Sequence, residues 1–195
     1  TEFHAAWDGG FDAMVQRSWE MYDEADIVVT YNGKRFDNRH FRGDWLKAGL
    51  PEPSPWKDVD LFQSNQFGFT SRSLNHLCQI LGLDVKSGKY SMDMAEACMA
   101  GDVKAQRTMR IYNKGDVKIT EQAYDRLRGH LPGHPHIGEI IAEERRCNQC
   151  ASPNLVRNGI TRAVVIDYVL YRCADCGANV KGTKHSRQAV TRGAR

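Results

Sequence analysis

Four cysteines carry the most specific chemistry in this chain. Cys147 and Cys150 form one Cys-x-x-Cys pair and Cys173 and Cys176 a second, with 22 residues between the pairs. Each such turn presents two thiolates to one metal, and zinc takes four soft ligands in a tetrahedron. Four thiolates leave no open position, so the metal expected is one structural Zn²⁺ and not a catalytic one. Gly177, directly after Cys176, suits a tight turn that aims backbone N–H groups at sulfur. A ribbon of about 30 residues has little core of its own, and structural zinc contributes on the order of 10 kcal/mol to its folding.

A second set of residues is rich in oxygen. Asp37 closes the run Tyr31-Asn-Gly-Lys-Arg-Phe-Asp37, and Asp116 closes Tyr112-Asn-Lys-Gly-Asp116. Tyr112 and Asp116 stand four residues apart, which puts both on one face of a helix. Gly115 costs that helix about 1 kcal/mol relative to Ala. Its presence beside an inward-facing Asp116 is explained if something must approach the backbone closely. Taken singly, each residue has a plainer reading: Asp37 as an N-cap, Asp116 as an exposed helix residue, Tyr112 as core.

The elements that must position these groups follow from periodicity and punctuation. Residues 11–24 repeat apolar and aromatic groups at helical spacing (Phe11, Met14, Val15, Trp19, Tyr22). The β-branched run Ile27–Tyr31 predicts a buried strand, and Asn32-Gly33 a turn. A helix is predicted over Phe36–Leu50, ended by the prolines at 51, 53 and 55. A second strand is predicted over Trp56–Phe62. Further helices are Ser73–Leu81, capped by Ser73 and closed by Gly82, and Met92–Met99, stopped by Gly101. A long helix follows, capped by Asp102 and running to Leu127. Residues 129–144, with His130, His134 and His136, read as a linker whose histidines are solvated and not metal ligands. Strand-like runs Leu155–Thr161 and Ala163–Leu170 separate the cysteine pairs.

Together the two carboxylate motifs resemble the DnaQ-like (DEDD) 3′–5′ exonucleases of the ribonuclease H-like superfamily. Within that family the chain resembles the phage and bacterial proteins related to the proofreading domain of family B DNA polymerases. That family's second motif, Asn-x₃-Phe-Asp, is matched by Asn32 to Asp37. The third motif of its tyrosine-type branch, Tyr-x₃-Asp, is matched by Tyr112 to Asp116. The resemblance covers roughly residues 7–128.

It implies an α/β ribonuclease H-like fold lacking its N-terminal strands, to which the cysteine spacing adds a small β zinc ribbon. Asp37 and Asp116 would then be ligands of Mg²⁺ (or Mn²⁺), with Tyr112 orienting the attacking water. Asn32 and Phe36 would contact the 3′-terminal nucleotides, Phe36 by packing on a base or sugar. The implied reaction is in-line hydrolysis of a phosphodiester with release of nucleoside 5′-monophosphates. The family's first motif, Asp-x-Glu on an N-terminal strand, is not found, and the first strands of the family sheet are missing with it. The expectation is therefore an incomplete N-terminus, supplied in cis or by another chain. The alternative is a non-catalytic nucleic-acid-binding zinc-ribbon protein whose nuclease-like domain is degenerate.

The expected organisation is a nuclease-like domain over 1–128, a linker over 129–144, and a ribbon with a basic tail over 145–195. Charge divides the same way. Residues 145–195 hold ten Lys/Arg against two Asp/Glu, a net +8, which leaves −5 for residues 1–144 out of the overall +3. An acidic body suits cations and a basic module suits phosphates. In the ribbon, Arg157, Arg162, Arg172, Lys181, Lys184 and Arg187 with Tyr168 and Tyr171 predict nucleic-acid contact, DNA ahead of RNA, against a solvated basic face on a protein-binding module. Near Asp37, Lys34 and Arg35 are candidates for phosphate contact, and Lys86 and Lys89 form a second basic loop. Asp58 and Asp60 flank the second strand, and Asp60 is a candidate supporter of the site. Cys78 and Cys98 are expected to be buried small apolar groups. No apolar run reaches the roughly 20 residues of a membrane helix, and no signal-peptide pattern is present. A reducing compartment is expected from the cysteine usage. By the resemblance it is a bacterial or phage-infected cytoplasm.

Overall fold

The apolar spacing that begins at Phe11 produces α1 (Phe11–Asp23), and the β-branched run after it produces β1 (Ile27–Thr30). These belong to a computed structural model that describes residues 1–64, 67–85, 88, 90–141, 144–162 and 166–188. Lys86 and Lys89 lie outside the described residues, as do the side chains of Lys184 and Arg187. The protein is mixed α/β and divides into two units, Thr1–Tyr124 and Asp125–Arg195.

In the first unit β1 leads through a turn to α2 (Asp37–Lys47) and then β2 (Lys57–Asp60). The two strands pair in parallel over their full length, from Ile27 against Lys57 to Thr30 against Asp60. A parallel pair needs a crossover, and α2 supplies it. The core is aromatic. Val15 and Tyr22 of α1 and Trp45 of α2 are buried, with Trp19, Val28, Phe41 and Trp56 packed on them. Tyr22 meets the rings of Trp45 and Trp56 edge-on at 5.1 and 5.2 Å, a favoured aromatic geometry.

The predicted strand over Trp56–Phe62 is shorter than expected. It ends at Asp60, and the chain turns at once into α3 (Leu61–Ser64) because the Asp60 carboxylate accepts the Phe62 amide at 3.0 Å. Two further helices end where their punctuation says. Ser73 Oγ accepts the His76 amide at the start of α4 (Leu74–Leu81), and Gly82 closes it in the left-handed region at φ 65°. Ser91 caps α5 (Met92–Met99) in the same way. Asp102 Oδ1 accepts the amides of Lys104 and Ala105 at the head of α6 (Val103–Leu127). Cys78 and Cys98 are fully buried. No helix among the described residues is long and apolar enough to cross a membrane.

The second unit is a three-stranded antiparallel sheet, β3 (Leu155–Arg162), β4 (Ile166–Cys173) and β5 (Asn179–Gln188), in that order. The third strand was not expected from the spacing. Residues 129–144, expected as a linker, are built into this unit. The described part of this segment begins within a 3₁₀ turn, Arg128–His130, and holds a short α7 (Ile137–Ile141). Gly129 lies so close to the Cys176 carbonyl oxygen that a Cβ there would stand 2.5 Å away. Gly138 lies against the Cys147 carbonyl, where a Cβ would stand 3.0 Å away. The Ile137 amide donates to the Asn148 carbonyl at 2.9 Å. The segment thus packs against both cysteine turns.

Candidate functional site

The two cysteine turns are built as copies of each other. In the first, the Cys147 amide donates to the Ser152 carbonyl at 2.8 Å and the Ala151 amide returns to the Cys147 carbonyl at 2.9 Å. In the second, the Cys173 amide donates to the Ala178 carbonyl at 2.9 Å and the Gly177 amide to the Cys173 carbonyl at 3.1 Å. Both turns require a left-handed residue after the second cysteine: Ala151 at φ 58° and Gly177 at φ 73°. Asn154 ties the turns together, its Nδ2 donating to both Asp175 carboxylate oxygens at 3.2 and 3.1 Å.

This geometry brings four free thiols to one point. All four Sγ atoms lie within 4.8 Å of one another. Cys147 and Cys176 are 3.6 Å apart, and Cys150 and Cys173 are 3.7 Å apart. A zinc–sulfur bond of about 2.3 Å in a tetrahedron sets sulfur–sulfur edges of about 3.8 Å, whereas a disulfide needs about 2.0 Å. The cluster therefore fits a structural metal such as zinc. Burial pushes the Cys150 and Cys176 thiols up. Burial acts on Cys173 the same way, but N–H donors from Cys176 and Asp175 and the neighbouring thiols outweigh it and hold Cys173 at about 7. His130, His134 and His136 join no metal-ligating group among the described residues.

In the first unit a cleft of about 770 Å³ opens at the C-terminal end of β1. Crevices at the carboxyl ends of parallel strands are where α/β sheets bind ligands. Asp37 and Asp116 line it together. Val29 to Tyr31, the head of α4 and one face of α6 form its other walls. That face is Asn113, Asp116, Val117, Thr120, Glu121 and Tyr124, which follows helical spacing.

Asp37 is the first residue of α2. The N-cap position is Phe36, which offers no capping side chain. Asp37 retains solvent-exposed surface, yet the protein around it desolvates the carboxyl enough to raise its pKa. Asp60 adds to that rise, while the backbone amide of Asp37 and His40 oppose it.

The turn that delivers Asp37 is held by Asp60, which is 2 % exposed. Its carboxylate accepts the amides of Asn32 at 2.8 Å and Lys34 at 3.1 Å. Asn32 adopts φ 68°, a left-handed conformation that Asn tolerates better than most residues. Gly33 packs onto Thr30, where a Cβ would stand 2.5 Å from the threonine Cβ.

The expected substrate contacts sit differently from the two aspartates. Phe36 is 60 % exposed and stacks edge-on against His40 at 4.8 Å. Lys34 and Arg35 are exposed, and neither they, Asn32 nor Phe36 line the cleft. Tyr112 is half-buried one turn before Asp116 and is also not among the lining residues. Above Gly115 there is open space, with nothing within 4 Å of a Cβ built there. Glu121, Thr30 and Ser73 line the cleft and escaped the sequence reading. Glu121 alone carried a signal, since it stands five residues after Asp116 on the same long helix. Among the described residues no third carboxylate comes close enough to Asp37 and Asp116 to form a shared metal site.

On the ribbon, Lys181 Nζ lies 3.9 Å from the Tyr168 ring centre. The Arg145 guanidinium lies 4.9 Å from that of Tyr171 and donates to its hydroxyl at 2.8 Å. Arg157, Arg162 and Arg172 are exposed. No protein-family model matches this chain, and no curated protein matches it in sequence.

Proposed function

We propose that the first unit is a metal-dependent 3′–5′ exonuclease domain of the ribonuclease H-like type, joined to a zinc ribbon that grips the nucleic acid. The observation that carries this is the meeting of Asp37 and Asp116, far apart in sequence, on the walls of one cleft at the end of β1. Their oxygens are the hard donors that Mg²⁺ or Mn²⁺ prefers. When bound, such ions lower the pKa of water and stabilise a leaving 3′ oxygen. Two carboxylates hold two ions incompletely, so the reading requires further acidic ligands from a segment added in cis or by another chain. Tyr112, one turn from Asp116, is assigned to orienting the attacking water. Asn32 and Phe36 are assigned to the 3′ end of the strand. The products are nucleoside 5′-monophosphates.

The second reading is a non-catalytic nucleic-acid binder. It is favoured by the lack of a third converging carboxylate among the described residues. Digestion of 3′-labelled single-stranded DNA in Mg²⁺ separates the two. The exonuclease reading expects stepwise release of labelled mononucleotide that Asp116→Ala abolishes. Release that persists in Asp116→Ala refutes the mechanism. Strand binding with no release from any N-terminally extended form favours the second reading.

A further inference from the structure

We propose that a recess between α2 and β2, separate from the main cleft, is a phosphate-binding site. It has a volume of about 280 Å³ and is lined by Lys34, Asn38, Arg39, Arg42, Trp56 and Asp58. Three cations face one carboxylate there, a surplus of positive charge within an otherwise acidic unit.

Two of the three cations are not held in an ion pair. Lys34 and Arg39 make no ion pair among the described residues. Arg42 pairs with Glu52 at 2.5 Å and lies over the Trp56 ring at 5.3 Å, which holds its guanidinium in place. Asp58 is the one carboxylate of the lining, and Lys34 and Arg42 lie close enough to act on its charge. Its Oδ2 accepts from Asn38 Nδ2 at 2.7 Å, and its Oδ1 is buried with no hydrogen-bond partner among the described residues. Asn38 is fixed in turn by the buried Tyr22 hydroxyl, which donates to its Oδ1 at 2.8 Å.

The Lys34 amide is anchored by Asp60. The recess is therefore backed by the Tyr22–Asn38–Asp58 hydrogen-bond chain and rimmed by the cationic groups of Lys34, Arg39 and Arg42. Guanidinium and ammonium groups in such an array match phosphate oxygens. Lys34 belongs to the turn that leads to Asp37, so the recess adjoins the segment that lines the cleft. Two sources share this chemistry: a phosphodiester within a strand, and the phosphomonoester of a free nucleotide. The inference rests on the nuclease reading only in taking the phosphate to belong to nucleic acid.

The test uses the full chain with no added divalent metal and a fluorescein-labelled single-stranded oligo(dT), read by anisotropy across a salt series. Losing one phosphate contact to a single strand lowers the slope of log K against log salt by about 0.7, which is about fivefold in affinity at 0.1 M salt. Lys34→Ala/Arg39→Ala is expected to show that loss with an unchanged thermal melt. Asp58→Asn, which removes the opposing charge, is expected to tighten binding. An unchanged slope and affinity in the double variant overturns the site. Competition by thymidine 5′-monophosphate that disappears in the double variant assigns the phosphomonoester. Loss of oligonucleotide affinity without such competition assigns the diester. A chain that never cleaves DNA yet keeps the Lys34/Arg39-dependent slope removes the nuclease reading and retains this one.

Discussion

Gly115→Ala separates architecture from function at a single atom. Gly115 lies inside α6, where Gly is disfavoured relative to Ala by about 1 kcal/mol. A methyl group added there meets nothing within 4 Å. No steric cost offsets the propensity gain, so the variant is expected to be more stable by about 1 kcal/mol. For a unit of this size that is a rise in melting temperature of about 4 °C. The assay is thermal and urea unfolding of the full chain beside the parent. A destabilised variant refutes the reasoning, because it means the helix or the open space is not as described. The functional arm is strand binding and 3′-end digestion. If a ligand must approach the backbone beside Asp116, affinity or turnover falls while stability rises. A gain in stability with no functional change leaves Gly115 without a role in ligand approach.

Four further outcomes follow from the geometry. Asp60→Ala strands the amides of Asn32, Lys34 and Phe62, and unfolding in urea should show a loss of at least about 3 kcal/mol. Asp37 has a raised pKa in the fold, so its ionised form costs stability above the unfolded value of about 4, and that cost is absent below it. Asp37→Asn should therefore be more stable than the parent at pH 7, with the difference vanishing in urea melts as pH falls below that value. Elemental analysis should find one zinc per chain, and a strong chelator should abolish the ordered β signal of the second unit in circular dichroism while leaving the helical signal. Gly129→Ala drives a methyl group to 2.5 Å from the Cys176 carbonyl oxygen and should weaken metal retention and cost about 1–3 kcal/mol, read by chelator competition.

Local signals were legible because they act over a few residues. Ser73, Gly82 and Asp102 bound their helices by capping chemistry that a sequence displays directly. The cysteine spacing displayed the metal cluster for the same reason. What did not show was long-range. Asp60 works by accepting amides from the opposite strand's turn, a partnership its neighbours do not reveal. Residues 129–144 read as a linker by composition, yet Gly129 and Gly138 are there for lack of room against the two cysteine turns. The third ribbon strand, β5, follows the last cysteine pair, so it was not bracketed by the pattern that marked the other two. Tyr112 and Asp116 share a helical face by spacing, but only Asp116 lines the cleft, since its walls decide which part of that face is presented.

The duplicated cysteine turn would make metal capture by this cluster a two-stage event. Each turn closes within a few residues and can hold an ion by two thiolates before any sheet exists. The second turn then arrives by closing a 22-residue loop, at a chain-entropy cost of about 3 kcal/mol. Once the first half holds the ion, the other two sulfurs act at a fixed local concentration set by that loop and no longer by the concentration of metal. The ribbon should consequently release metal slowly, because either half can open and reclose while the other still holds the ion.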